Sequence, residues 1–173
     1  KANSKVTANP VSDVNYGQNV AVSFEGDGTS YNVTVYDKNN NVAFTKIINE
    51  KSINISGLNA GEYNVTVVNL GNTNRTQSKN STTFNVNKIN NNIKVDVNNG
   101  TYGKEITVTV TADVDGDYTV SLNTRNITVY VENGKGSQTL DDLDAGDYTA
   151  NVTFNNVNCN MYFACVHNGH CWL

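Results

Sequence analysis

The sequence repeats one pattern of residues, and the two copies lie 85 to 87 positions apart. A Tyr-Gly pair at Tyr16 returns at Tyr102. The stretch Leu-Asn-Ala-Gly-Glu-Tyr that ends at Tyr63 returns as Leu-Asp-Ala-Gly-Asp-Tyr ending at Tyr148. Self-similarity at this spacing predicts two copies of one small module. A length of 173 residues suits two separate small cores better than one large core.

Both copies alternate apolar and polar residues with a period of two, which is typical of half-buried β-strands, and helical periodicity is nearly absent. Turns rich in Gly, Asn and Asp separate the apolar segments. The predicted strands are 6–8, 20–24, 31–36, 42–44, 53–55, 63–68 and 83–86 in the first copy, and 93–97, 106–111, 118–122, 127–131, 137–140 and 148–154 in the second.

Short strands with such regular turns are typical of a two-sheet antiparallel sandwich. Tyr63 and Tyr148 stand where a corner tyrosine of an immunoglobulin-like sandwich lies, at the start of the sixth strand. The sequence therefore predicts an all-β fold of two tandem immunoglobulin-like antiparallel β-sandwiches. Repeat 1 covers 1–88, and repeat 2 covers 89–173 with an atypical Cys/His tail over 157–173.

Over about 5–154 the chain resembles the tandem immunoglobulin-like repeats of archaeal adhesin-like surface proteins, and it is similar to bacterial immunoglobulin-like repeat domains. The likeness is carried by the Tyr-Gly pairs at Tyr16 and Tyr102, each before an alternating strand, and by the corners that end at Tyr63 and Tyr148. The resemblance implies a cell-surface or secreted location, repeats used as stalks, and adhesion to other cells or surfaces. It brings no catalytic residues.

Composition narrows the classes of partner. Charged residues make up 16% of the chain, whereas Asn occupies 32 of the 173 positions. A net charge of −4 without a Lys/Arg stripe argues against nucleic acid and anionic membranes as partners. No apolar run approaches the roughly 18 residues of a membrane span, so no membrane insertion is expected within this chain. No nucleophile elbow, phosphate loop or paired-carboxylate motif is visible, and we expect neither catalysis nor a cofactor.

Asn-x-Ser/Thr motifs for N-glycosylation are numerous. Within strands, the alternation places their acceptor side chains in solvent. The alternative is that Asn and Thr merely fill the polar faces of the strands. The candidate glycosylation sites are Asn32, Asn54, Asn64, Asn74, Asn80, Asn99, Asn126 and Asn151.

Two acidic turns, 113–117 and 141–144, cluster carboxylates as calcium sites do, but neither matches the 12-residue calcium loop. An ordinary hairpin turn explains the first. A covalent cross-link between Lys5 and Asn85, promoted by Glu25, is a further hypothesis that the alternation does not support.

The tail contains every Cys and both His of the chain. The candidate disulfide residues are Cys159, Cys165 and Cys171, of which two could pair and leave the third for an intermolecular bond. Alternatively, 161–166 is a buried strand whose cysteines act as small apolar residues. A metal held by Cys165, His167 and His170 matches no standard zinc spacing, so no metal is predicted.

The sequence thus predicts a non-enzymatic extracellular surface-protein segment that acts as a stalk or adhesion module. Its partner is an unknown surface ligand, either protein or glycan, for which the loops 37–41 and 70–79 are the expected contacts. The alternative is a pilus-like filament of identical subunits: a neighbour's N-terminal stretch, 1–11, would complete repeat 2 by strand donation if the tail does not supply the last strand. A carbohydrate-binding module is a third hypothesis, and it would need exposed aromatic platforms.

Overall fold

The computed structural model describes residues 1–98, 101 and 103–165, and within them the chain forms fifteen strands and no helix. The all-β prediction is confirmed. The strands are β1 Val6–Ala8, β2 Val14–Asn15, β3 Val20–Gly26, β4 Tyr31–Asp37, β5 Val42–Ile48, β6 Ser52–Ile55, β7 Gly61–Asn69, β8 Ser78–Asn87, β9 Ile89–Val97, β10 Ile106–Ala112, β11 Gly116–Leu122, β12 Arg125–Val131, β13 Lys135–Leu140, β14 Ala150–Thr153 and β15 Cys159–Cys165.

The chain divides into two compact units, unit 1 over Lys1–Ile89 and unit 2 over Asn90–Leu173. Unit 1 contains a three-stranded sheet of order β1-β3-β6 and a five-stranded sheet of order β2-β8-β7-β4-β5. Its strand pairs are antiparallel except for β2 and β8, which are parallel.

The two sheets of unit 1 share one hydrophobic core. Alternating residues of each strand point into it, because successive side chains of a strand lie on opposite faces. The buried members include Val20, Val22, Phe24, Ile55, Tyr31, Val33, Val35, Val65, Val67, Phe84 and Val86.

Unit 2 contains a four-stranded sheet of order β13-β10-β9-β15 and a three-stranded sheet of order β12-β11-β14. Tyr118 of β11 stacks on Phe154 with a centroid separation of 4.3 Å. The same Tyr118 hydroxyl accepts a 2.8 Å hydrogen bond from Nδ2 of the buried Asn91 in β9. The ring stack therefore lies on the side of β11 and β14, and the Asn91 hydrogen bond joins the buried side chains of the two sheets.

The units differ in where their last strand lies. In unit 1, β8 pairs with β7 over nine residue pairs, from Gly61↔Val86 to Asn69↔Ser78. In unit 2, β15 joins the sheet of β9, and among the described residues β14 pairs with β11 alone. The strand that follows β14 has thus moved to the opposite sheet.

Two predictions about the end of the chain need correction. The strand predicted over 148–154 is shorter, Ala150–Thr153. The predicted buried strand in the tail does form as β15, but its burial is wrong, since Met161, Tyr162 and Phe163 are 42%, 52% and 45% exposed. The apolar composition of this strand therefore does not come from a place in the core.

Candidate functional site

Each unit has a tyrosine whose hydroxyl bonds back to the corner before its strand. Tyr63 donates to the carbonyl oxygen of Asn59 at 2.9 Å, and Tyr148 donates to the carbonyl oxygen of Asp144 at 2.9 Å. Both bonds span four residues, which confirms the predicted corner role of the two tyrosines. The repeat in the sequence is thus a repeat of one local hydrogen-bonded geometry.

The surroundings of the two tyrosines are different. Tyr63 is 8% exposed and stacks on Phe84 of β8, with ring centroids 5.5 Å apart. Burial raises the pKa of the Tyr63 hydroxyl above its ordinary value. Tyr148 is 37% exposed, because no described strand lies beside β14 in the place that β8 takes beside β7.

An open depression lies at the corner end of unit 1. It is lined by Asp37–Asn39, by the corner residues Asn59–Tyr63, and by the end of the last strand, Asn85–Lys88. The ladder pair Asp37↔Tyr63 brings the first two of these segments together. The depression includes part of 37–41, one of the two loops in which a surface ligand is predicted to bind.

One charged group of this depression, the Asp37 carboxylate, is hydrogen-bonded within its own loop. The Asp37 carboxylate accepts hydrogen bonds from the backbone N–H groups of Asn39 and Asn41, both at 2.8 Å, and from Asn41 Nδ2 at 2.9 Å. The Asn41 contacts hold the Asp37 pKa below its ordinary value. Lys38, Glu62 and Lys88 are exposed. Amide and charged side chains make up most of the lining, so the depression is suited to polar binding.

The second predicted loop, 70–79, lies at the other end of unit 1, because the ladder runs from Asp37↔Tyr63 to Tyr31↔Asn69. Its polar groups hold the N-terminal residues. The Ala2 N–H donates to the backbone carbonyl of Asn74 at 2.9 Å, and the Ala2 carbonyl accepts the backbone N–H of Thr76 at 3.0 Å.

Arg75 in the same loop forms an ion pair with Asp27. The carboxylate of Asp27 also accepts the backbone N–H of Lys5 at 2.8 Å, and this bond is the largest cause of its lowered pKa. Asn69 Nδ2 donates to the Lys5 carbonyl and to Asp27, both at 3.1 Å. This end of unit 1 is therefore a structural clasp, and the two predicted ligand loops do not form one surface.

The sequon asparagines are placed as follows. Asn32 is half-buried, and its Oδ1 accepts from the Thr45 hydroxyl at 3.2 Å. Asn99 lies outside the described residues. The exposed ones are Asn54, Asn64, Asn74, Asn80, Asn126 and Asn151. Their glycosylation stays a prediction.

The acidic turns of unit 2 use their carboxylates as hydrogen-bond acceptors. Asp115 accepts the N–H groups of Asn133 and Gly134, each at 2.9 Å, and these bonds lower the Asp115 pKa. Both donors have positive φ, 54° and 82°, as a tight hairpin turn requires. Asp142 accepts from Arg125 at 2.6 Å. Among the described residues, no group of three or more His, Cys, Asp or Glu side chains is arranged to hold a metal.

The proposed cross-link residues do not meet. Asn85 donates Nδ2 to Asp13 at 3.1 Å, Glu25 lies 4.0 Å from Lys51, and Lys5 is exposed. In the tail, Cys159 is buried, whereas 166–173, with Cys171 and both histidines, lie outside the described residues. The disulfide and metal hypotheses for the tail stay untested.

Buried asparagines are the polar residues that sequence reasoning missed. Asn69 and Asn91 are fully buried. Asn91 Oδ1 accepts the N–H groups of Asp113 and Val114 at 3.0 and 3.2 Å. Both asparagines occupy inward positions of their strands, after Val67 and before Ile93 respectively, and that break in the apolar alternation is the signal that could have found them.

Within the part of the chain that the structure describes, no helix is long and apolar enough to cross a membrane. No protein-family model and no curated protein matches the sequence.

Solved structures give weak likenesses. The chain is similar to the fibronectin(III)-like modules of Clostridium thermocellum CbhA, with 12% identity, a TM-score of 0.36, and coverage of 97% of this chain and 100% of that one. A tandem from titin has 14% identity, a TM-score of 0.41, and coverage of 93% and 66%. The BSP domain of a biofilm associated protein has 14% identity, a TM-score of 0.38, and coverage of 95% and 30%. The chain spans only part of the length of the last two.

Proposed function

We propose that the chain is a non-enzymatic segment of an extracellular surface protein, in which two tandem immunoglobulin-like β-sandwiches act as a stalk or adhesion module. The observation that carries the proposal is the corner bond, made by Tyr63 to Asn59 and again by Tyr148 to Asp144 at the same 2.9 Å. Such a bond four residues upstream is a hallmark of immunoglobulin-like sandwiches.

The strand order of unit 1 supports the same fold. Strands one, three and six share one sheet, and strands two, eight, seven, four and five share the other. Five of the seven consecutive strand pairs therefore cross between the layers, as strands do in Greek-key sandwiches. Unit 2 keeps this division for its first six strands, with β9, β10 and β13 in one sheet and β11, β12 and β14 in the other.

A stalk must hold when it is pulled from both ends, and the terminal strands of unit 1 are suited to this. β2 runs parallel to β8 with the pairs Val14↔Val86 and Asn15↔Asn87, and the Tyr16 N–H donates to the Asn87 carbonyl at 2.8 Å. Tension between the N-terminal segment and the end of β8 shears these bonds together, whereas an antiparallel terminal pair opened from one end breaks its bonds one after another.

Adhesion, if it occurs through unit 1, is assigned to the depression at Asp37–Asn39, Asn59–Tyr63 and Asn85–Lys88. The opposite clasp at Asp27 and Arg75 is occupied by contacts to the N-terminal residues. Amide-rich open surfaces suit polar ligands such as glycans or protein loops.

The N-terminal segment is already used within its own unit, which favours the stalk over a filament built by N-terminal strand donation. Val6 pairs with Gly26, and Ala8 pairs with Phe24. A donor strand would first have to break these pairs and withdraw the buried Val6 from the core.

The surface location is tested by labelling. An antibody raised against the chain should bind intact source cells, and brief protease treatment of those cells should release peptides of this sequence. Signal that arises only after lysis would contradict the proposal.

The two-module stalk is tested by mechanical unfolding. Pulling the chain by its ends should give two unfolding steps, each lengthening the chain by about 30 nm, since roughly 85 residues extend by about 3.5 Å each. A single step would contradict the two-module stalk.

A further inference from the structure

Among the described residues, unit 2 has two open strand edges. The first corresponds to an edge that β8 covers in unit 1, and the second has no counterpart in unit 1. The first is β14, which pairs with β11 through Ala150↔Leu122 to Thr153↔Thr119 and with no other described strand. The second is the outer side of β15, the last strand in its sheet. An edge strand presents unused backbone donors and acceptors to any strand that approaches it.

The direction of the backbone groups of β14 follows from one bond. Asn123 donates its N–H to the Thr149 carbonyl at 3.2 Å, so Thr149 points its backbone groups at β11. Because the pattern alternates in an antiparallel pair, Asn151 and Thr153 do the same. Ala150 and Val152 therefore point their N–H and C=O groups away from β11, toward the open edge.

Apolar side chains lie uncovered at both edges. Tyr148, just before β14, is 37% exposed, and Met161, Tyr162 and Phe163 of β15 are 42–52% exposed. Val157 in the connection is 69% exposed. We call these five exposed side chains the C-terminal apolar patch.

Neither β14 nor β15 contains a charged side chain, a property shared with the short edge strands β1, β2 and β6 of unit 1. The edge strands β5, β12 and β13 contain Lys46, Arg125 and Lys135, and such charges discourage strand addition. From Tyr148 to Phe163, 16 consecutive positions contain no Asp, Glu, Lys or Arg. A two-fold contact brings identical surfaces together, so an uncharged surface is the kind that two copies can share without repulsion.

A turn directs the described part of the tail away from β14. Cys159 donates its N–H to the Asn156 carbonyl at 3.2 Å, Asn158 donates its N–H to Asn156 Oδ1 at 2.9 Å, and both Asn158 and Cys159 are buried. This turn leads the chain across to the sheet of β9. Among the described residues, no strand of the same chain covers the edge of β14.

We propose that two copies of this chain associate through unit 2, with β15 of each copy added to the β14 edge of the other. The contact satisfies the Ala150 and Val152 backbone groups and covers the C-terminal apolar patch. It needs no strand to leave its own sheet, unlike donation of the N-terminal segment. It goes beyond the stalk function, and its failure would leave that function untouched.

The test is the mass of the full chain in solution, measured by sedimentation across a range of concentrations in reducing buffer. We expect a concentration-dependent rise from 18.8 kDa to twice that mass. Ala150→Pro removes an N–H that faces the open edge and should keep the protein monomeric. Its matched control, Ala150→Val, retains the N–H and places at this position the residue found at Val65 in repeat 1, and it should still dimerise.

A second pair of variants covers the case in which the proline variant does not fold. Thr153 on β14 and Thr128 on β12 are both exposed and both flank Thr119. Thr153→Lys should weaken the dimer, whereas Thr128→Lys, at the other edge of the same sheet, should leave it intact. Hydrogen exchange of the wild-type chain should show that the Ala150 and Val152 amides become protected as the dimer forms.

Three results would overturn the proposal. The first is a monomer at every concentration. The second is a dimer that disappears on reduction, which would be a disulfide product of the tail cysteines. The third is a dimer that Thr153→Lys and Ala150→Pro leave unchanged or that protects amides of β5 or β12 instead.

Discussion

At the scale of single residues, the two corner tyrosines form the same bond in different surroundings. Tyr63 is covered by Phe84, while Tyr148 is partly open to water. A hydrogen bond sheltered from water contributes more than one in which water can replace the partner. Identical substitutions at the two positions therefore separate the bond from its environment.

We expect Tyr63→Phe to lower the free energy of unfolding of unit 1 by about 1 kcal/mol or slightly more, since the Asn59 carbonyl loses a sheltered donor. Tyr148→Phe should cost unit 2 clearly less. Urea unfolding of both variants measures the difference. Equal losses would mean that the stacking of Phe84 on Tyr63 does not change how much the corner hydrogen bond contributes to stability.

Asp115 links the stability of unit 2 to pH. The N–H groups of Gly134 and Asn133 favour its charged form and lower its pKa in the folded chain. The contribution is therefore present above the unfolded pKa of about 3.9 and is lost as the pH falls through the lower folded pKa. We expect Asp115→Asn to be less stable than the wild type at pH 7, with a gap that narrows below about pH 4.

The measurement is urea unfolding at pH 7, 5 and 3. Asp117→Asn is the matched control, because Asp117 is an exposed residue two positions further on, in β11, whose carboxylate accepts no hydrogen bond from the described residues. A gap for Asp115→Asn that stayed constant with pH would show that the carboxylate charge is not what the turn uses.

At the scale of strands, the apolar alternation predicted most core strands because an inward-facing residue every second position is what burial selects. It predicted 83–86 where β8 spans Ser78–Asn87. The missing part is held by backbone pairs such as Val67↔Asn80, and exposed polar residues leave no apolar trace of such pairs. It also missed β2, which is two residues long.

The place of β15 is a different kind of miss. Met161 and Phe163 share a face by alternation, which predicts burial, but burial depends on which sheet receives the strand. The turn at Asn156–Cys159 makes that choice through local hydrogen bonds. No periodicity in the strand itself reports the bond from the Cys159 N–H to the Asn156 carbonyl, so the open edge of β14 and the proposed dimer surface were not predictable from the alternation.

The two units differ in how deeply the last strand is packed. In unit 1 the last strand, β8, contributes a buried ring, whereas in unit 2 the ring of β15 is half-exposed. One substitution in each unit measures this difference. Phe84→Ala removes a buried ring from the stack on Tyr63 and should destabilise unit 1 by about 3–5 kcal/mol. Phe163→Ala removes a half-exposed ring of β15 and should cost the monomer of unit 2 less than about 1 kcal/mol. Chemical unfolding at low protein concentration gives both values. A large loss for Phe163→Ala would mean that β15 is packed into the core after all.

At the scale of the whole molecule, the repeat predicts two cores that gain and lose stability separately. Val33 and Val120 occupy equivalent positions, two residues after Tyr31 and Tyr118, and both are fully buried in their own units. Truncation of either valine to Ala removes similar apolar volume and should cost about 2 kcal/mol. What distinguishes the two variants is which unit loses that stability.

In calorimetry we therefore expect two transitions, of which Val33→Ala lowers one and Val120→Ala lowers the other. The double variant should lower each transition by the amount that its own substitution does alone, because distant sites in independent cores do not influence each other. A single transition that either substitution shifts as a whole would contradict this, since one cooperative unit cannot lose stability in only one half. Two separate shifts would mean that tension on such a stalk can open one module while the other stays folded.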